Sequence, residues 1–309
     1  MNKEKLVIRL GTRKSELALQ QAKLVARALE AAGNCTAEII TLRTAGDEKQ
    51  ELKGAVERDK KDWVIAFEQA LLAGSIDLAI HSAKDVPTDV EPQTMLIPVL
   101  KRANPFDALI VHEKSNTCGS GLNALSRGCT VGTSSLRRAA QIRRLRPDLA
   151  ILEIRGNVPT RINKMEQGES SALVLAAAGL ERLGLGSRAH SVFTAREILP
   201  AVTQGILIAQ VMRANEELLM SLRHLVDLPT EFACRAERSC ITTLGADCHS
   251  AVAAYSEIAG AKLVLKARVL GAGGEHCLEW QDEALPVEAE VLGDRVAKRL
   301  LSLGASELL

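Results

Sequence analysis

The sequence predicts an α/β fold of two lobes facing each other across a cleft, followed by a smaller α+β domain. Three observations predict it. Short apolar runs bounded by turn residues alternate with amphipathic helical stretches up to about residue 225. Two segments, at Asn104-Pro105 and just before Ile206, offer crossings from the first lobe to the second and back. Beyond Leu225 the alternation gives way to a helix, two β-branched strands and a last helix. The corresponding domains are 1–101 with 203–224, then 102–202, then 225–309.

Leu6 to Leu10 is the first strand, and Gly11-Thr12-Arg13-Lys14-Ser15 turns it into a helix over 15–32 with apolar residues at Leu17, Leu24, Val25, Ala28 and Leu29 and a glycine stop at Gly33. Glu38 to Leu42 follows as a strand, and the charged stretch 46–62 reads as a mobile loop. A helix from Trp63 to Ala73 closed by Gly74 leads to strands at Ile76–Ile80, Met95–Val99 and Ala108–Val111. The second lobe holds strands at Thr130–Val131, Ile151–Arg155 and Leu173–Ala176, and Ile206–Val211 returns to the first. The last domain contains a helix over 231–244, strands at Ala251–Glu257 and Lys262–Leu270, and a helix over 287–303.

At 309 residues, 47% hydrophobic and 25% charged, with no apolar run long enough to span a bilayer and no signal-peptide core, the chain is expected to be a cytoplasmic globular protein. Seven cysteines, at 35, 118, 129, 234, 240, 248 and 277, lack the close pairing of a zinc or redox motif, and nothing in the sequence demands a metal.

The formal charge is only +1, yet seven arginines fall between Arg137 and Arg161. Thr133-Ser134-Ser135 forms a turn and N-cap for a helix over 136–145, so Arg137 and Arg138 occupy its first turn, where cations oppose the helix dipole. The layout recurs at Arg155-Gly156-Asn157, with Pro159 suited to a helix start ahead of Arg161, and at Arg13 and Ser15. Hydroxyls, backbone N–H groups and guanidiniums at strand ends make an anion site. Arg143, Arg144 and Arg146 lie late in their helix and read as a solvated face. Nucleic acid fits poorly with a near-zero net charge and 2% aromatic residues; small carboxylates or phosphates fit better.

His81-Ser82-Ala83-Lys84-Asp85 lies at another strand end. A carboxylate in an anion site repels the ligand unless it meets a positive charge that develops during reaction, so Asp85 can stabilise a cation and move its proton. The plain alternative is a surface Lys-Asp pair in a turn before Pro87.

These residues, with Ala178-Gly179-Leu180-Glu181-Arg182-Leu183-Gly184, Leu199-Pro200-Ala201-Val202, Gln204-Gly205 and Ala236-Glu237-Arg238, resemble the ordered motifs of the hydroxymethylbilane synthase, or porphobilinogen deaminase, family over about residues 6 to 257. The resemblance implies a transferase of porphyrin biosynthesis that joins four porphobilinogen molecules with loss of ammonia and releases the linear tetrapyrrole hydroxymethylbilane by hydrolysis. It implies a dipyrromethane cofactor held by a thioether to Cys248, a residue that would otherwise read as a structural thiol. Lys84, Ser135, Arg137, Arg138 and Arg161 would grip the cofactor carboxylates; Arg13, Ser15, Arg155, Arg182 and Gln204 would hold the incoming ring; Asp85 would be catalytic. A monomer without nucleic-acid or membrane partners is implied. The lobe-and-cleft plan is also that of periplasmic-type binding proteins, so a noncatalytic cytoplasmic binder of a small acid, or a slow diverged family member, is the alternative.

Several positions depart from the family pattern. The lid region reads Glu57-Arg58-Asp59-Lys60-Lys61-Asp62, Asp247 replaces a glycine before the cofactor cysteine, Phe106 replaces an arginine, and Thr203 replaces a glycine. Gln210 and Met212 stand where a glutamate and an arginine are usual.

Overall fold

The computed structural model describes residues 6–33, 35–42, 61–113, 119–246 and 250–309, with backbone alone at 61–63. The expected lid over 46–62 therefore falls largely outside the described residues, and so does Cys248. The chain divides into two compact units, Met1–Arg102 with Ile206–Glu231 and Ala103–Gly205 with Phe232–Leu309.

In the first unit, β1 (Leu6–Arg13), β2 (Cys35–Leu42), β3 (Leu78–Ser82) and β4 (Thr94–Val99) join β10 (Leu207–Met212) in the order β2-β1-β3-β10-β4. β10 runs antiparallel to both its neighbours. Helix α1 (Glu16–Ala32) buries Ala22, Val25, Ala26 and Leu29 against Ile8 and Leu10 of β1. Of the apolar residues expected to face the core, Val25 and Leu29 are buried, Leu17 and Ala28 are half-buried and Leu24 is exposed, so the buried stripe runs through Ala22 and Ala26 instead. Each fully buried Val or Leu contributes about 1.5–3 kcal/mol. Gly33 ends the helix by donating its N–H to Leu29, with φ −150°, so the stop is an extended one and not left-handed. Helices α2 (Lys61–Leu72) and α6 (Glu216–Arg223) complete the unit.

The second unit begins with β5 (Asp107–Val111), β6 (Thr130–Gly132), β7 (Ala150–Leu152), β8 (Ala172–Ala176) and β9 (Ser191–Val192), in the order β7-β6-β8-β5-β9. Here β5 is the strand inserted antiparallel. Helices α3 (Leu136–Leu145), α4 (Val158–Glu166) and α5 (Ala177–Arg182) follow strand ends. The expected strand through Arg155 stops at Leu152, because Gly156 at φ 121° and the Asn157 cap already belong to the turn. The last segment pairs β11 (Ala251–Ala259), β12 (Lys262–Leu270) and β13 (Cys277–Ala284) antiparallel, with α7 (Leu228–Leu244) and α8 (Ala289–Ser302). Leu263, Leu265, Ala267 and Val269 alternate inward along β12 against Cys240 and Leu244 of α7 and Leu292, Val296 and Leu300 of α8. This is the α/β class with two five-stranded lobes and a smaller α+β part that the sequence predicts.

Two close approaches set up the strand ends that carry the functional turns. A Cβ on Gly11 would lie 2.6 Å from Ile76 Cδ1, and one on Gly132 would lie 2.5 Å from Ile154 Cδ1. In both lobes glycine lets the strand that feeds an N-cap serine press onto its neighbour. Where the chain leaves each lobe, two residues other than glycine take positive φ, Leu100 at 65° and Thr203 at 57°.

Candidate functional site

In the first unit, Arg13 ends β1 and Ser15 caps α1, accepting the Ala18 N–H at 3.3 Å. The end of β3 passes into a single 3-10 turn, Ala83–Asp85, whose first N–H donates to Ile206. Ser82 Oγ lies 2.9 Å from Gln21 Nε2, so the strand end is tied to the buried face of α1. Lys84 is half-buried and Asp85 is exposed, which leaves the carboxylate accessible to a ligand.

Behind this turn His81 is buried. Its Nε2 lies 3.1 Å from Gln210 Oε1, and its ring makes a T-shaped contact with that of Phe67, the centroids 5.2 Å apart. Burial lowers the imidazole pKa from 6.5 to about 4; the Gln210 hydrogen bond and the charge of Asp85 oppose the fall, and Arg13 adds to it.

In the second unit the arginines converge on one carboxylate. Asp107 is the first residue of β5 and is fully buried. Its Oδ2 accepts from Arg137 Nη2 at 2.7 Å, while its Oδ1 accepts from Arg138 Nη2 at 2.7 Å, Arg138 Nε at 3.1 Å and Gln204 Nε2 at 2.9 Å. The side chains of Arg137 and Arg138 are only 5% and 7% exposed, so this is a desolvated cluster of two guanidiniums on one carboxylate, with one positive charge in excess. Burial alone would raise the Asp107 pKa, but Arg137 and Arg138 hold it well below the usual carboxylate range. Ser135 caps α3 by accepting the Arg138 N–H at 3.4 Å. Arg137 also donates Nη1 to the Leu199 carbonyl at 2.6 Å, and Arg138 donates Nη1 to Val174 at 3.1 Å. Among the described residues the one buried side-chain polar atom without a partner is Arg137 Nε.

Arg161, expected to hold the cofactor, and Arg155, Arg182 and Gln204, expected to hold the incoming ring, lie in the same unit. Arg161 donates Nε to the Gly156 carbonyl at 2.7 Å from the first turns of α4. Arg155 is half-buried and pairs with Glu153 at 2.5 Å. Arg182, at the end of α5, donates Nη2 to Gly205 at 2.7 Å, and burial lowers its pKa to about 10 while Glu181 opposes the fall. Gln204 also donates Nε2 to the Pro105 carbonyl at 2.7 Å.

One expectation is corrected. Arg146 is not on a solvated face: it donates to the Leu122 and Leu125 carbonyls and pairs with Asp148, because it follows the last turn of α3 and closes the loop beneath it. Arg143 likewise donates to the Ala272 carbonyl at 2.7 Å, whereas Arg144 is exposed as expected. Sequence reasoning also passed over Asp107 as the partner of the arginines. Its signal was a single carboxylate opening an otherwise apolar strand, Asp107-Ala108-Leu109-Ile110-Val111. A second element it missed is Gln141, whose side chain bonds Leu199 N, Leu199 O and Arg268 and so ties the arginine cluster to β12.

Residues 8–220 match the family described as porphobilinogen deaminase, dipyromethane cofactor binding domain, and residues 231–302 match the porphobilinogen deaminase C-terminal domain. The chain is similar to the porphobilinogen deaminase of Stenotrophomonas maltophilia, at 40% identity over 98% of each chain. It is 41% identical to that of Rubrobacter xylanophilus over 97% of this chain and 95% of the relative, and 38% identical to that of a Roseiflexus species over 99% of each.

Proposed function

The chain belongs to the porphobilinogen deaminase family, and on that premise we propose that it condenses four porphobilinogen molecules head to tail on a dipyrromethane primer and releases hydroxymethylbilane by hydrolysis. The observation that carries this reading is the Arg137–Asp107–Arg138 cluster, with its excess charge and an unsatisfied, buried Arg137 Nε–H. A growing chain in which every pyrrole bears two carboxylates is the ligand such a cluster fits: it balances the excess charge and supplies an acceptor to the one buried donor left without a partner among the described residues.

Lys84, Ser135, Arg137, Arg138 and Arg161 are the residues that would hold the primer carboxylates, with Cys248 as the covalent anchor. Bound dipyrromethane supplies the terminal pyrrole to which each new ring is joined. Arg13, Ser15, Arg155 and Arg182 would hold the incoming ring, and Gln204 would support it with its amide nitrogen already committed to Pro105 and Asp107. Loss of ammonia from porphobilinogen leaves a cation, and the exposed Asp85 carboxylate would stabilise its positive nitrogen and carry away the proton lost on bond formation. The enzyme would work in the cytoplasm as a monomer.

Intact-mass measurement of protein made in a porphobilinogen-producing host tests the reading directly. The expected result is an adduct of two pyrrole units that maps to Cys248 and is absent from Cys248→Ser. An adduct on another cysteine removes the anchor assignment. An unmodified wild-type chain that releases no ammonia from porphobilinogen removes the function.

A further inference from the structure

Gln210 is fully buried in β10, between β3 and β4, and its side chain spans the sheet diagonally. It is opposite Ala79 and Leu96 in register, and on the same face it reaches His81 on one side and Thr94 on the other. The direction of its amide is fixed by what meets its nitrogen. Gln210 Nε2 donates to Glu68 Oε1 at 3.1 Å and to Thr94 Oγ1 at 2.9 Å. Glu68 Oε1 also receives the Glu91 N–H at 2.8 Å, and the Thr94 hydroxyl spends its proton on the Glu91 carbonyl at 2.8 Å. Both groups are therefore acceptors toward Gln210, and a flipped amide would set oxygen against oxygen.

With the amide so oriented, its oxygen faces His81, and His81 Nε2 must carry a hydrogen. We propose that Gln210 is a positioning residue for elongation: held by Glu68 and Thr94, it fixes the His81 ring as the Nε2–H form at the strand end that leads into Asp85. The groups bearing on the ring are Gln210 of β10, Phe67 of α2, Arg13 of β1 and Asp85 of the following turn, with Glu68 acting through the amide. Asp85 favours a positive ring, and burial and Arg13 disfavour it. A glutamate at 210, the usual family residue, would add an anion that draws a proton onto the ring; glutamine does not. A neutral ring matters because a cationic His81 would compete with the substrate cation for the Asp85 carboxylate. Gln210 thus acts on the reaction through His81 and touches no reacting atom.

This inference rests on the assignment of elongation to Asp85, but its first test does not. Two-bond proton–nitrogen spectra of histidine-labelled protein, with the His81 ring identified through its contact to Phe67, report the tautomer directly. The expected spectrum is Nε2–H with an unprotonated Nδ1 throughout pH 5.5–8.5, and Gln210→Met should give a mixture of tautomers. An Nδ1–H ring, a ring that titrates within that range, or an unchanged spectrum in Gln210→Met would overturn the proposal. In steady-state ammonia release, Gln210→Met should lower kcat about tenfold with KM within about twofold of wild type. Unchanged kcat overturns the positioning role. Failure of the functional assignment appears elsewhere, as a wild-type protein that releases no ammonia whatever its ring spectrum.

Discussion

The two five-stranded sheets share one plan, three parallel strands followed by an inserted antiparallel strand and an edge strand, but they differ in the polar residue buried on the inserted strand. In the first unit it is Gln210, an uncharged amide that bonds a neutral histidine. In the second it is Asp107, a carboxylate that bonds two guanidiniums. The difference teaches how a common scaffold is given two electrostatic characters. An amide leaves the buried His81 ring behind Asp85 neutral, whereas the carboxylate allows two arginines to be buried with Arg137 Nε left without an acceptor. Desolvating a charge costs several kcal/mol, so Arg137 and Arg138 could not occupy their positions without Asp107.

The comparison predicts that the two carboxylates fail differently. Asp85→Ala should leave fold and primer intact and lower elongation by about 10²–10⁴-fold, read as single-turnover ammonia release. Near-wild-type turnover would end the catalytic assignment. Asp107→Ala should instead destabilise the second unit by about 3–5 kcal/mol, seen as a lower urea midpoint, because it leaves two buried cations uncompensated. An unchanged midpoint would show the cluster to be hydrated.

Acid should separate the units as well. His81 is neutral when folded, with its pKa lowered to about 4, and protonates near 6.5 when unfolded; its contribution is complete above pH 6.5 and is lost as pH falls toward 4, about 3 kcal/mol in all. Asp107 has a depressed folded pKa, so its contribution is present above the ordinary carboxylate range and is lost only in stronger acid. Hydrogen exchange followed by peptide mass spectrometry should show β3 and β10 loosening at a higher pH than β5 and α3. The reverse order would contradict the protonation states assigned here.

The smallest effect concerns Thr203, a buried β-branched residue held at φ 57° where glycine is usual in the family. Its N–H donates to Glu237 Oε2 at 2.5 Å, which holds the left-handed turn in place. Thr203→Gly should raise stability by about 0.5–1 kcal/mol, since relief of the strain exceeds the added chain entropy. A lowered urea midpoint would mean that the Thr203 hydroxyl bond to Val202 matters more than the strain.

Local signals were the ones legible in the sequence. Ser135 before Leu136, and the β-branched content of the segment that forms β12, each decide an element from neighbouring residues alone. The short helices α5 and α6 and the strand β13 went unread. Cys277-Leu278-Glu279-Trp280-Gln281-Asp282-Glu283-Ala284 is an edge strand whose outward residues are charged, so it shows no apolar alternation. In the site, the residue types and the helix starts that carry Arg137 and Arg161 were readable. The partner of the arginines was not, because Asp107 lies 30 and 31 positions away and is brought close only by the pairing of β5 with β8. The same long-range pairing hides Gln210 from His81, 129 positions apart.

The shared carboxylate also constrains the order in which this part of the chain can change over descent. Replacing Asp107 alone strands two cations, and replacing one arginine alone removes the charge excess that suits an anion while leaving the other pair intact. The first route passes through a strongly destabilised protein and the second through a folded one with a weaker anion site. Divergence at this cluster must therefore begin with an arginine, and Asp107 should be the last of the three to be lost.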